Sequence, residues 1–139
     1  MREVEMELRV RYSETDQMGI VYHAHYLVWF EIGRTEWCRA AGYPYAAMER
    51  DGLFIPVTRV DAAFRRRSSY DDAIRVVTAM AELSGRGCAF AYRVESPGGD
   101  LLADGDTRHV FTDAAGRPIR APKDLVALLE AFRVSNGNP

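Results

Sequence analysis

The stretch "SETDQMGIVYHAHYLVWF", Ser13 to Phe30, changes character halfway along. Its first part carries Asp16, Gly19 and His23 and has no hydrophobic period, which marks a loop from Ser13 to Val21. From about Ala24 the pattern turns helical: Tyr26, Phe30, Gly33, Trp37 and Ala40 recur at spacings of three and four. Leu27, Val28, Trp29 and Ile32 make the first half of this helix apolar nearly all round, and such a helix is buried. Gly42 suits the position after the helix end. A polar segment bearing an acid and imidazoles therefore leads straight into the most buried element of the chain, and a core helix does not need that preface.

The flanking sequence is mostly strand. Upstream, "EVEMELRVRY" (Glu3 to Tyr12) alternates: Val4, Met6, Leu8 and Val10 face one way, charged residues the other. After the long helix, "YPYAAMERDG" reads as a short helix between Pro44 and Gly52. Then come "FIPVTRVDAAFRR", with Val60, Ala62 and Phe64 on one face; "AIRVVTAMAEL", apolar enough for a central strand; and "GCAFAYRVES", with Cys88, Phe90, Tyr92 and Val94 together. "LLADGDTRHVFTD" is a further strand with Gly105 as a candidate bulge. "PKDLVALLEAF" predicts a terminal helix with Leu125, Leu128, Leu129 and Phe132 on one side, and the chain from about 134 to 139 is expected to fray. One strand, one long helix and then strands joined by hairpins indicate an α+β fold with a mainly antiparallel sheet. That sheet should curl around the apolar helix.

The chain has 139 residues, 47% hydrophobic and 27% charged, which fits one domain with a real core. Its formal net charge of −2 offers no bulk electrostatic reason to expect nucleic acid or an anionic membrane. Cys38 and Cys88 do not make a disulfide framework and read as buried thiols. No signal-like segment and no run of about 18 apolar residues is present, so a soluble, cytoplasmic protein without integral membrane association is expected.

Tyr12, Asp16, Gly19, Val21, Tyr22, His23, Tyr26 and the Phe30-Glu31 pair, followed by "GRTEW", resemble the signature of the 4-hydroxybenzoyl-CoA thioesterase-like, hotdog-fold acyl-CoA thioesterases, closest to the YbgC-type branch. The resemblance covers nearly the whole chain, and it departs from the family at His25, where Asn is common. It implies a hotdog fold, hydrolysis of a fatty or aromatic acyl-CoA, no cofactor and no metal. It makes Asp16 the catalytic carboxylate and His23 the source of an oxyanion-binding N–H. Gly19, Tyr22 and Tyr26 come with the motif as substrate-binding positions. It also implies a homo-oligomer, a dimer or a doubled dimer, in which a second subunit completes the acyl tunnel.

The chemistry gives that segment a purpose. Thioester hydrolysis develops negative charge on the carbonyl oxygen, and a helix N-terminus offers unpaired N–H groups and a positive dipole end. A carboxylate seven residues upstream of His23, across a glycine turn, can activate water or attack the carbonyl. Arg65, Arg66 and Arg67, with Arg59 and Arg108, could meet CoA phosphates, although an arginine run is more often a solvated strand end than a phosphate site. Glu14 is the rival acid, outside the matched position. His23 and His25 form an H-x-H pair, but alternate spacing suits a metal-binding strand better than a helix start, and no third donor is near in sequence. His109 reads as a partly buried strand histidine, and Glu31 as a partner for Arg34 or Arg11. Three other readings stand beside hydrolysis of acyl-CoA: hydrolysis on an acyl carrier protein, dehydration of an acyl thioester, and a non-catalytic acyl-CoA-binding module.

Overall fold

A computed structural model describes residues 1–135. The strands are β1 (Glu3–Arg9), β2 (Val57–Phe64), β3 (Ala73–Leu83), β4 (Gly87–Glu95) and β5 (Leu101–Val110). The helices are α1 (Ala24–Ala40), α2 (Tyr45–Arg50) and α3 (Lys123–Arg133). The strands form one sheet in the order β1-β3-β4-β5-β2, and every pairing is antiparallel. The tail expected to fray lies, from residue 136 on, outside the described residues.

Helix α1 packs against β1, β3 and β4. Phe30 stacks on Tyr92 with ring centroids 4.4 Å apart, and Trp37 meets Phe90 edge-on at 5.6 Å. These rings are fully buried and carry much of the core's apolar area. The helix ends as its sequence predicts: Gly42 has φ +95°, its N–H reaches the Arg39 carbonyl, and the Tyr43 N–H reaches that of Cys38. Helix α3 closes one end with Leu125 and Leu129 buried.

Three expectations change. Gly105 forms no bulge; its register with β4 and β2 is continuous. It is glycine because a Cβ there would lie 2.3 Å from the Asp61 carbonyl oxygen and 2.9 Å from a Phe30 ring carbon. Leu128 points away from the core and is 41% exposed, because α3 rests on one narrow stripe only. And α1 is not covered all round: Leu27 and Val28 are 38% and 41% exposed, because a single sheet covers one side of a helix. Strand β2 is open too. Seven of its eight residues are exposed, so it is an unpaired edge with both faces uncovered.

Candidate active site

The segment before α1 is more ordered than a loop. A 3-10 turn, Tyr12–Glu14, leads into a tight hairpin in which Thr15 bridges Val21. Within it the Gly19 N–H bonds the Asp16 carbonyl at 3.0 Å and the Asp16 N–H bonds the Ile20 carbonyl at 2.8 Å. Gly19 has φ +79°, the left-handed value that this closing position requires. One oxygen of the Asp16 carboxylate, Oδ1, accepts the Met18 N–H at 2.8 Å. Among the described residues Oδ2 has no protein partner.

The backbone N–H groups at the start of α1 are only partly used among the described residues. The Tyr22 N–H is spent on the Glu14 carbonyl at 2.9 Å, the His25 N–H on Tyr22, and the Tyr26 N–H on His23. Among the described residues, the N–H groups of His23 and Ala24 have no hydrogen-bond acceptor. They stand at the positive end of a 17-residue helix, where a developing oxyanion is favoured.

Asp16, Ile20, Val21, Tyr22, His23, Tyr26, Phe64 and the arginines 65–67 line one cleft of about 400 Å³. Of the site residues expected from the sequence, Asp16, Tyr22, His23, Tyr26 and the arginines 65–67 are in it; Gly19, which shapes the turn, and the more distant Arg59 and Arg108 are not. Phe64 is the residue that sequence reading missed: its ring lies 5.3 Å from Tyr26 and 5.9 Å from His23. Its only signal was its place at the strand end just before the arginine run. The Tyr26 hydroxyl and Ser68 Oγ lie 2.9 Å apart in the core, and the Val21 N–H bonds the Ser68 carbonyl, so the arginine segment is tied to α1.

The three arginines are not equivalent. Arg65 is paired with Asp104 at 3.1 Å and Arg66 with Asp100 at 3.5 Å. Arg67 has no ion-pair partner among the described residues and is the guanidinium whose charge is uncompensated at the cleft. Arg59 pairs with Asp61 and Arg108 with Glu82, and neither lines this cleft. Glu31 is exposed on α1 and is paired with neither expected arginine. Arg11 instead pairs with Glu14, and Arg34 is buried beside Tyr45 and Tyr92. Both cysteines are buried free thiols; burial pushes the Cys88 thiol up to about 12 and that of Cys38 further still, so neither supplies a nucleophile. Among the described residues no three His, Cys, Asp or Glu side chains converge as metal ligands. A second cleft of about 360 Å³, between α2 and the segment 53–56, is mainly apolar and holds none of these site residues.

A five-stranded antiparallel sheet laid on one long helix defines the class as a hotdog-fold protein. The chain belongs to the thioesterase-like superfamily, whose family model matches residues 10–129. It is 33% identical to the acyl-CoA thioesterase YbgC of Haemophilus influenzae over 123 residues, covering 86% of this chain and 89% of that one. It is 27% identical to the 4-hydroxybenzoyl-CoA thioesterase of a Pseudomonas species, covering 91% and 97%. The solved structure of the DHNA-CoA thioesterase from Staphylococcus aureus superposes with a TM-score of 0.89 at 28% identity, covering 94% of this chain and 91% of that one.

Proposed function

We propose that this protein hydrolyses an acyl-CoA thioester to the free acid and CoA, with Asp16 and the N-terminus of α1 as its catalytic parts. The observation that carries this is that Asp16 and His23 line one cleft, and that at this start of α1 the N–H groups of His23 and Ala24 have no acceptor among the described residues. The carboxylate accepts a proton from water as the water oxygen attacks the thioester carbon, or attacks that carbon itself. The N–H pair holds the oxyanion, a contribution worth about 10²–10³ in kcat per donor. On the water route, collapse expels the CoA thiolate, which takes up the proton held by Asp16. On the direct route, collapse expels the thiolate and leaves a mixed anhydride on Asp16, which water cleaves to the free acid and the carboxylate, its proton passing to the thiolate. Tyr22, Tyr26 and Phe64 give the acyl end an aromatic wall, fitting a fatty or aromatic group, and Arg67 offers a guanidinium for a CoA phosphate.

The catalytic unit in this reading is a homodimer, doubled or not into a tetramer. The cleft opens beside β2 and the exposed flank of α1, the surfaces a second copy would cover. The relatives' names as acyl-CoA thioesterases support the hydrolytic reading, and a CoA-linked substrate accords with a cytoplasmic enzyme. No helix among the described residues is long and apolar enough to cross a membrane.

The deciding experiment is a hydrolysis panel from acetyl-CoA to palmitoyl-CoA and benzoyl-CoA types, read as free thiol, with the same acyl groups on acyl carrier protein in parallel. Turnover with CoA thioesters at higher kcat/KM than with the carrier is expected. The reverse order assigns the enzyme to carrier-linked substrates. Tight binding without turnover makes it a binding module.

A further inference from the structure

Glu14 stands two residues before Asp16 and is 3% exposed, an unusual place for a carboxylate in a surface segment. Its Oε2 accepts the Trp29 indole N–H at 2.9 Å, and Trp29 is fully buried on α1. Its Oε1 accepts the Arg11 backbone N–H at 2.7 Å, and the Arg11 guanidinium lies 3.5 Å from Oε2. Its own carbonyl accepts the Tyr22 N–H at 2.9 Å. Burial opposes its charge, but these donors outweigh burial and hold its carboxyl below the usual range, so it is ionised. One residue thus fastens the turn before the hairpin, the residue just before His23, and the second turn of α1.

We propose that Glu14 is the positioning residue of this enzyme, holding the Asp16 hairpin at a set distance from the N-terminus of α1 through the Trp29 indole. The inference rests on the reading of Asp16 and the helix start given above. The hairpin carrying Asp16 has few anchors beyond its own turn: the Glu14 contacts on one side and the bridge from Ile20 to Ser69 on the other. A carboxylate here accepts from two donors on opposite oxygens. A carboxamide cannot, since its NH₂ group would face one of those donors whichever way it is turned. Releasing this clamp lets Asp16 drift from the reacting carbonyl, and a displacement of about 1 Å costs on the order of 10²-fold in rate.

The test compares Glu14→Gln, Glu14→Asp and Trp29→Phe with the unaltered enzyme on one acyl-CoA, each shown to be folded at the assay temperature by circular dichroism. Asp16→Asn is assayed alongside. Glu14→Gln is expected to lower kcat about ten- to a hundredfold with KM little changed, which a purely stabilising role would not do. Glu14→Asp keeps the charge but is too short to reach the indole, so it stays impaired. Trp29→Phe removes the indole N–H along with part of a buried ring, so its unfolding midpoint is measured beside its kcat. It lowers kcat in the same direction and, in the double variant, adds little to the kcat loss of Glu14→Gln because both changes disturb the same clamp. Wild-type kcat in Glu14→Gln with only a lower unfolding midpoint overturns the proposal, as does full recovery in Glu14→Asp. If Glu14→Gln does not fold, Trp29→Phe decides alone: unchanged kcat there sinks the idea. If Asp16→Asn retains activity, the reading of the site fails and this proposal with it. If Asp16→Asn is inactive while the Glu14 and Trp29 variants are not, only the proposal fails.

Discussion

Asp16 and Glu14 share a charge and a segment but meet opposite surroundings. Asp16 lines a cleft and has one oxygen without a partner among the described residues; Glu14 is buried with both oxygens bonded. Asp16→Asn should therefore lower kcat by about 10²-fold or more, the size of a lost general base or nucleophile. KM should move little, since the aromatic wall and arginines are untouched. The unfolding midpoint should also hold, because an asparagine Oδ1 still accepts the Met18 N–H. More than about a tenth of wild-type kcat in this variant is too much for the role assigned. Glu14→Gln looks from the sequence like a neutral control, with the same loop and the same charge change. The Trp29 bond removes that status. Spacing along the chain cannot tell the two acids apart by burial, because burial is decided by a helix residue fifteen positions away.

At the scale of elements, β5 carries two testable features. Gly105 lets β5 lie against β2 and the Phe30 ring together, so Gly105→Ala must move backbone or a packed ring. A loss of about 1–3 kcal/mol is expected in urea unfolding. An unchanged midpoint would mean that the sheet yields locally. His109 is the second. Its Nδ1–H donates to the Ile55 carbonyl, its Nε2 accepts from Thr107, and Thr107 in turn accepts from Tyr92. Burial above all, with Arg34 adding to it, pushes the imidazole down to about 4. The folded pKa lies below the unfolded value of about 6.5, so the unfolded chain binds the extra proton in between. The stability this neutral ring contributes is whole above pH ~6.5 and declines as the pH falls toward 4, by at most ~1.4 kcal/mol per pH unit. The stability gap between wild type and His109→Gln should narrow across that window in urea titrations. A constant gap rules the assignment out.

For the whole molecule, the exposed apolar surface is what the proposed second copy would cover. Val57, Val60 and Phe64 on β2 are each at least 40% exposed, Leu27 and Val28 are exposed on α1, and β2 is an edge strand. Such an edge is covered or protected in native proteins. Sedimentation at micromolar concentration should show a dimer or larger. Val60→Lys, a charge on that edge, should shift it toward monomer and lower activity with it. A fully active wild-type monomer would refute this.

The sequence by itself determined the elements. The change of period at Ala24, the alternation of β1, the glycine ends of α1 and α2 and the motif around Asp16 are all local, and local sterics and periodicity fix them. It also determined the family, through motif positions spread over one loop and one helix. Only the tertiary structure decided the rest. It placed the arginine run beside the helix start through Tyr26 and Ser68, and it paired Arg65 and Arg66 while giving Arg67 no ion-pair partner among the described residues. It also sank Glu14 against Trp29 and left one flank of α1 bare. Each of these turns on contacts between residues distant in the chain, and a periodicity reports only which face a residue is on, not what stands opposite it.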